Sequence, residues 1–213
     1  MTISIHNNTF TILPEKALYW QEHSTLLIAD LHIGKISHFR KAGIAVPVQA
    51  MHDNFSRLTA LIRMCQPQRI LFLGDLFHSI INAEWSIFKQ WRVQFSDLEM
   101  HIVLGNHDLL PLEYYIDASL IVHKEVLLAG SFLFSHYPRA EFAENEYVIC
   151  GHIHPVIRLQ GKANQSFQFP CFYFGLQQAI LPSFGYFTGG AVIEPAKEDR
   201  IVAIVNNKLI KIQ

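Results

Sequence analysis

Residues 69–78 read RILFLGDLFH, an apolar run that ends abruptly in a glycine, an aspartate and a histidine. A continuous apolar run of this length is typical of a strand buried on both faces in a layered α/β protein, although periodicity alone also permits a short buried helix. The same arrangement recurs in four more segments, TLLIADLH (25–32), HIVLGNHD (101–108), SFLFSHYP (131–138) and YVICGHIH (147–154). In open α/β sheets, ligands bind beyond the carboxyl ends of the strands. The pattern therefore predicts that five groups of polar residues share one site.

The composition is that of a globular chain large enough to hold such a site rigidly. The chain has 213 residues, half of them hydrophobic, without a low-complexity tract or a Pro/Gly-rich linker, so we expect a single domain over residues 1–213. The three cysteines show no CxxC spacing, which predicts reduced thiols. No apolar segment is long enough to span a membrane and no signal peptide is recognisable, which predicts a soluble, cytoplasmic protein without membrane contact.

Helices and strands alternate in the first part of the sequence, and strand patterns dominate the rest. Trp85, Phe88 and Trp91 recur at helical spacing, which favours packing in the core over exposure for base stacking. After Gln160 the segments SFQFPCFYFG and RIVAIVNNKLIKI are rich in β-branched and aromatic residues. They predict strands that complete a second sheet.

The polar ends of the five runs carry side chains that suit divalent metal ions. Asp30 and His32 are alternate residues, so an extended chain would project both to one face, and His152 and His154 repeat the spacing. The candidate ligands are two carboxylates, one amide and four imidazoles: Asp30, Asp75, Asn106, His32, His136, His152 and His154. Taken singly, such an aspartate is usually a turn or cap residue, and such a histidine is usually a surface or hydrogen-bonded core residue. Their recurrence at five run ends favours a shared site.

This mixture of ligands predicts a hydrolytic chemistry. Two divalent cations about 3.5–4 Å apart can clamp the attacking and leaving oxygens of an in-line displacement, and a shared carboxylate reduces their mutual repulsion. Nitrogen and oxygen ligands without thiolate suit Mn, Fe, Co, Ni or Zn, and do not select one of them. A water molecule bound to such an ion loses its proton near neutral pH and becomes the nucleophile. A protonated histidine can then help the leaving oxygen to depart.

The ordered motifs DLH, GDLFH, GNHD, a single histidine and GHIH resemble the signature of the calcineurin-like metallophosphoesterases. The resemblance implies an α/β fold, a four-layer αββα sandwich with two mixed β-sheets, around a binuclear metal centre. It implies that one metal is held by Asp30, His32, Asp75 and His154. It implies that the other is held by Asp75, Asn106, His136 and His152. His107 would be the general acid or a phosphate contact, and Asp108 would orient it.

A narrower resemblance rests on DLHIGKISHFRKAGIAVP, on LGDLFHS with EWSIFKQWR, and on LPSFGYFTGG. These segments are similar to the ligase-associated DNA damage response endonucleases, bacterial enzymes often encoded beside a DNA ligase and a helicase. The resemblance implies a phosphodiesterase or nuclease that uses Mn in DNA repair. It also implies DNA as the substrate, with the ligase and the helicase as potential partners.

Sequence evidence for substrate contacts is local. The basic run GKISHFRKAG follows the first metal motif, and its candidate phosphate contacts are Lys35, His38, Arg40 and Lys41, with the solvated face of a helix as the alternative. His78, three residues after Asp75, could contact the substrate or cap the following segment. The net charge of −1 argues against tracking along duplexes, but permits action at ends, on single strands or on small phosphodiesters.

Three functions are therefore compatible with the sequence. The first is a binuclear phosphodiesterase or nuclease acting on DNA. The second keeps the chemistry but hydrolyses a small phosphomonoester, a nucleotide or a pyrophosphate. The third is a non-catalytic interaction module on the same fold, against which the presence of His107 beside Asn106 argues.

Overall fold

The computed structural model of the protein describes residues 1–47, 49–78, 83–161 and 165–213, apart from the side chains of residues 51 and 83. Within these ranges the helices are α1 (Lys35–Lys41), α2 (Gln49–Cys65), α3 (Ala83–Val93) and α4 (Leu112–Asp117). The strands of the first sheet are β1 (Thr2–Ile5), β2 (Asn8–Leu13), β3 (Ala17–Trp20), β4 (Thr25–Ile28), β5 (Arg69–Leu73), β6 (Glu99–Val103) and β7 (Ile121–His123). Those of the second sheet are β8 (Val126–Ala129), β9 (Phe132–Ser135), β10 (Tyr147–Cys150), β11 (Pro155–Gln160), β12 (Ser166–Phe174), β13 (Gln178–Ile180), β14 (Ala191–Val192), β15 (Arg200–Val205) and β16 (Lys208–Lys211).

The first sheet joins an antiparallel meander to a parallel half. Strands β1 to β4 pair with antiparallel neighbours, whereas β4, β5, β6 and β7 run parallel, with Leu27 opposite Leu71 and Leu71 opposite His101. Parallel neighbours need crossover connections, and α2 and α3 provide those from β4 to β5 and from β5 to β6. The carboxyl ends of β4, β5 and β6 consequently lie side by side.

The second sheet is also mixed. Strand β10 runs parallel to both β9 and β13, while β8, β11, β12, β15 and β16 make antiparallel pairs. Because β9 and β10 are parallel, the residues that follow them, including His136 and Gly151, emerge at the same edge of this sheet.

The apolar runs are buried on both faces, which explains why they are continuous instead of alternating. Leu26 and Ile28 of β4 pack against the helices, whereas Leu27 and Ala29 face the second sheet. Phe132 and Phe134 of β9 meet them from the other side of the same intersheet core. The strand interpretation of the sequence is thus confirmed, and the short-helix alternative is excluded for these runs.

The helices pack on the outer face of the first sheet, where the tryptophans Trp85 and Trp91 of α3 are buried in the core as their spacing predicts. The α/β class with two mixed sheets is confirmed. The further helical layer implied over the second sheet does not occur in the described part of the chain, where Phe142 and Ile153 pack on that outer face instead. The described elements that follow β7 are all strands, so they provide no helix to cover this face.

None of the described helices is long and apolar enough to cross a membrane.

Candidate metal centre

The five polar groups meet where the carboxyl ends of the parallel strands of both sheets face one another. The loops after β4, β5 and β6 bring Asp30, Asp75 and Asn106 to this place from the first sheet, and those after β9 and β10 bring His136 and His152 from the second. The fold thus brings together candidate ligands that are far apart in sequence. The hydrogen bond from His152 N to the Asp30 carboxylate, for example, spans 122 residues.

The candidate ligands form two overlapping groups. Ligand atoms of Asp30, His32 and His154 lie within 4.8 Å of one another, and so do those of Asp30, Asp75 and His136. Asp75 also spans the centre, because one oxygen lies 3.6 Å from His32 Nε2 and the other lies 3.5 Å from His136 Nε2. Both buried carboxylates therefore reach both groups, whereas the sequence resemblance implied only Asp75 as the shared residue.

Asn106 and His152 complete the second group. Asn106 Oδ1 lies 3.1 Å from His136 Nε2, and His152 Nδ1 lies 3.0 Å from the same nitrogen. His136 has no exposed surface, whereas Asn106 is exposed to solvent. The group is thus closed on the protein side and open toward a substrate.

The chemistry of these contacts fits bound cations. His136 Nδ1 lies 3.1 Å from the Leu73 carbonyl, which assigns the proton to Nδ1 and leaves Nε2 with a lone pair facing Asn106 Oδ1 and Asp75 Oδ1. His154 repeats this arrangement: Nδ1 lies 3.2 Å from Thr188 O, and the buried, unpartnered Nε2 lies 3.3 Å from Asp30 Oδ1. Lone pairs that face one another repel unless a cation lies between them. These nitrogen and oxygen atoms therefore match the ligands of a metal centre.

Two of the candidate ligands, His32 and His152, are in surroundings that favour neutral imidazole. Burial, followed by the charge of Lys35, lowers the pKa of His32 to about 2. Burial also lowers the pKa of His152, assisted by His136. Neutral imidazole is the form that binds metal ions.

The backbone at the centre is not extended, contrary to the sequence interpretation. Asp30 (φ 54°), His32 (φ 50°), His152 (φ 68°) and His154 (φ 51°) all adopt the left-handed region, as does Asp75 (φ 49°). β4 ends at Ile28 and β10 at Cys150, so the ligand pairs lie beyond the strands, where the pleat no longer orients side chains. Left-handed conformations cost non-glycine residues about 1–3 kcal/mol each, and they persist only where the surroundings impose them.

Hydrogen bonds from neighbouring loops impose this backbone. Asp30 N donates to Gly74 O (3.2 Å), His32 N donates to Asp75 O (2.9 Å), and Ser183 Oγ donates to Asp30 O (2.8 Å). Ser183 and Thr188 belong to the segment LPSFGYFTGG, whose resemblance the sequence showed but whose contacts it could not.

Two glycines let the loops approach this closely. A Cβ at Gly74, where φ is +78°, would overlap the His136 ring, and a Cβ at Gly105 would overlap the Asp75 carboxylate. The close approach of the loops therefore explains both glycines, and the positive φ of Gly74 is a second reason at that position.

His107 and His78 lie beside the centre. The half-buried His107 ring lies 5.2 Å from that of His32, and the His78 ring stacks on it at 4.7 Å. His78 Nδ1 also lies 3.3 Å from His32 Nδ1, and burial, followed by Lys35, lowers the pKa of His78 to about 4. These contacts favour a role for His78 in contacting the substrate over a role as the cap of the following segment.

The described hydrogen bonds of Asp108, which the resemblance expects to orient His107, are with backbone N–H groups. Its carboxylate accepts hydrogen bonds from Phe77 N (2.9 Å) and Gly105 N (2.9 Å), and among the described contacts none joins it to the His107 ring. Burial raises the pKa of Asp108 to about 7, while these N–H donors act in the opposite direction. Asp108 therefore ties together the loops that follow β5 and β6.

The basic residues of α1 divide into two sets. Arg40 Nη1 donates to Val46 O at 2.9 Å, and Lys41 is exposed at the end of the helix, so the described contacts bring neither to the candidate ligands. Lys35, at the other end, is the cation whose charge acts on His32 and His78.

The sequence motifs did not identify Tyr137, which also borders the centre. Its half-exposed ring lies 4.6 Å from that of His152.

Comparisons with known proteins give one family match and several similar solved structures. A sequence model of calcineurin-like phosphoesterases matches residues 23–187. The structure superposes on the Pseudomonas putida nuclease MPE with a TM-score of 0.85 and 27% identity, covering 100% of this chain and 99% of that one. A weaker likeness, with a TM-score of 0.47 and 14% identity, is to Yfce, a phosphoesterase from E. coli, over 87% of this chain and 96% of that one. No curated protein matches the chain.

Proposed function

The chain belongs to the calcineurin-like phosphoesterase family and is a metal-dependent phosphoesterase, and from this premise we propose that it is a binuclear phosphodiesterase that cleaves DNA. The observation that carries the proposal is the cluster of metal-ligating side chains at the junction of the two sheets, where Asp30 and Asp75 each reach two groups of ligands. The likeness to a nuclease over the whole chain supports a phosphodiester substrate.

In this proposal, each metal has its own imidazoles. The first would be held by Asp30, His32, Asp75 and His154. The second would be held by Asp75, Asn106, His136 and His152. When bound, the two ions would polarise the phosphate and supply an activated water as the nucleophile. Mn is the preferred metal by family resemblance, and Fe, Co, Ni or Zn would also suit these ligands.

The side chains of the protein would then manage position and protons. In hydrolysis the water oxygen bonds to phosphorus, the ester P–O bond breaks, and the leaving oxygen takes up a proton. In this proposal His107 donates that proton. Two contacts support the role: its half-buried ring lies beside the His32 ring, and its backbone N–H donates to Asp75 Oδ1 at 2.9 Å. Asp108 supports this position by holding the two loops around Asp75.

The cellular setting belongs to the same proposal. The resemblance to ligase-associated endonucleases supports a role in bacterial DNA repair, in the cytoplasm, beside a DNA ligase and a helicase. The segment LPSFGYFTGG contributes to that resemblance, and it also contacts Asp30 and His154 through Ser183 and Thr188.

The test compares Mn-dependent hydrolysis of bis-nitrophenyl phosphate with that of nitrophenyl phosphate, using the wild-type protein and Asp75→Asn in parallel. We expect diester turnover that Asp75→Asn abolishes, followed by cleavage of DNA substrates. Preference for the monoester would instead indicate a small-phosphate hydrolase. Failure to turn over either substrate or DNA with any of the candidate metals would contradict the enzyme proposal and favour an interaction module.

A further inference from the structure

Helix α1 presents two different faces. Ile36 is buried and packs with Val46 and Ala50, which fixes the inner face of the helix. Lys35 and His38 are three residues apart, a spacing that places side chains on the same side of a helix. Lys35 is half-buried and His38 is exposed. This second side is the one that meets the metal centre.

Lys35 lies within electrostatic reach of both central carboxylates. Burial lowers the pKa of Lys35, and Asp75 and Asp30 act in the opposite direction. Its charge is also felt by the imidazoles of His32 and His78. The backbone N–H of Lys35 also donates to His32 O at 3.1 Å, so this half-buried lysine is fixed beside the loop that carries a candidate ligand.

His38 continues a row of imidazoles that leads away from the centre. The His38 ring lies 5.3 Å from His78, His78 stacks on His107 at 4.7 Å, and His107 lies 5.2 Å from His32. The row runs from a buried candidate ligand to an exposed ring. The exposed His38 ring can present an N–H donor to solvent, so the row marks a path for an anionic chain from the centre to the surface.

A carboxylate from α3 holds α1 in place. Glu84 is buried and accepts hydrogen bonds from Gly34 N (2.8 Å) and Ser37 N (2.9 Å), across 50 and 47 residues of sequence. The backbone of α1 is therefore fixed relative to the loop that carries His32. Lys35 and His38 project from this fixed backbone.

The sequence around α1 has no acidic residue, and Glu84, the carboxylate that reaches this helix from α3, accepts hydrogen bonds from two of its backbone N–H groups. Residues 33–52 contain no aspartate or glutamate, although the protein as a whole has 18 acidic and 17 basic residues. A local positive surface on a nearly neutral protein suits the recognition of phosphate beyond the reacting group.

We propose that Lys35 and His38 form a subsite for the phosphate that neighbours the scissile one on a polynucleotide strand. The inference rests on the proposed phosphodiesterase function and names its substrate more closely, as a chain that carries at least two consecutive phosphates. A substrate with one phosphodiester occupies only the metal centre, and a longer strand also engages α1.

Substrate length provides the test of activity. We expect the wild-type protein to hydrolyse a trinucleotide with a higher kcat/KM than a dinucleotide, which has only one phosphate, and Lys35→Ala and His38→Ala to reduce this preference. Lys35→Arg should keep most of it, and Lys211→Ala, a lysine on β16, serves as the control. Hydrolysis of bis-nitrophenyl phosphate should fall less than hydrolysis of the trinucleotide in the Lys35 and His38 variants, since the lost contact lies beyond the reacting phosphate, and Lys211→Ala should change neither activity.

A binding measurement without metal provides an independent readout. In EDTA, the anisotropy of a labelled single-stranded oligonucleotide should show about tenfold weaker binding to Lys35→Ala. The slope of log K against log salt should also decrease by about one, as for one lost phosphate contact. Lys211→Ala should change neither quantity.

Two outcomes would overturn the subsite. An equal fall in activity on bis-nitrophenyl phosphate and on the oligonucleotide would assign Lys35 to the reacting phosphate. An unchanged salt slope in Lys35→Ala would show that Lys35 makes no phosphate contact. Absence of diester turnover by the wild-type protein would instead overturn the proposed function, and the anisotropy measurement, which needs no turnover, would still decide the subsite.

Discussion

At the scale of single residues, the site depends on space as much as on ligands. Gly74→Ala would place a methyl group in the volume of the buried His136 ring, at a backbone φ of +78°. We expect His136 to move and one metal to be lost, in addition to the backbone cost of about 1–2 kcal/mol. Metal content after dialysis and urea unfolding measure the two effects.

Gly43→Ala is the matched control for this prediction. Gly43 has almost the same φ, +80°, but a Cβ there has no heavy atom within 4 Å. Its substitution should therefore show the backbone cost alone and leave metal binding unchanged. Equal metal content in the two variants would contradict the steric explanation for Gly74.

His107 is expected to act on the reaction and not on the metals. We predict that His107→Ala keeps full metal content and folding stability, while turnover of an oligonucleotide falls by about 10²–10⁴, the contribution typical of general acid–base catalysis. Metal analysis of the same preparations separates the two effects. An unchanged rate would show that His107 is not the acid, and a loss of metal would make it a structural residue.

The identities of the candidate ligands could be predicted from the sequence, but their local conformation could not. Ordered motifs select residue types, and these side chains do meet at one place. The left-handed backbone at Asp30 and His154 follows from contacts with other loops, which no local pattern encodes. For the same reason the backbone partners of Asp108 could not be predicted, since they lie on the loops that follow two different strands.

At the scale of secondary-structure elements, α1 depends on a single buried carboxylate. Glu84→Gln keeps the shape of the side chain but turns an amide N–H₂ toward one of the two backbone N–H donors, Gly34 or Ser37. We expect a loss of about 1–3 kcal/mol in the free energy of unfolding, the range for a hydrogen bond to a charged group. Urea denaturation measures this change.

Glu113→Gln provides the comparison for α1, because Glu113 is an exposed glutamate in the first turn of another short helix, α4. A change within about 0.5 kcal/mol is expected there. If the two variants were equally stable, Glu84 would not be the residue that fixes α1.

The elements themselves were largely predictable, because their patterns are strong. The buried runs form strands and the aromatic repeat around Phe88 forms a helix. The sequence could not say which side of α1 meets the metal centre, so Arg40 and Lys41 seemed as suitable as Lys35. Arg40 instead binds Val46 O, an interaction set by the turn after the helix.

At the scale of the whole molecule, the candidate centre joins the two sheets. Asp30, His32, Asp75 and Asn106 come from loops of the first sheet, and His136, His152 and His154 come from loops of the second. Metal ions bound by both sets would therefore connect the sheets at this edge. Without them, the buried Asp30 and Asp75 carboxylates and the lone pairs of the imidazoles repel one another across the junction.

Metal removal should consequently lower the stability of the entire fold. At a free metal concentration of 100–1,000 times Kd, binding to the native state alone adds about 3–4 kcal/mol to the free energy of unfolding. For a chain of this length, that corresponds to a rise in Tm of about 5–15 °C. We expect thermal unfolding of the metal-free protein to shift upward by this amount when Mn is added, and the shift to be small in Asp75→Asn. Because Asp75 contacts His32 and His136 in the two groups, an undiminished shift in that variant would mean that the metal binds elsewhere.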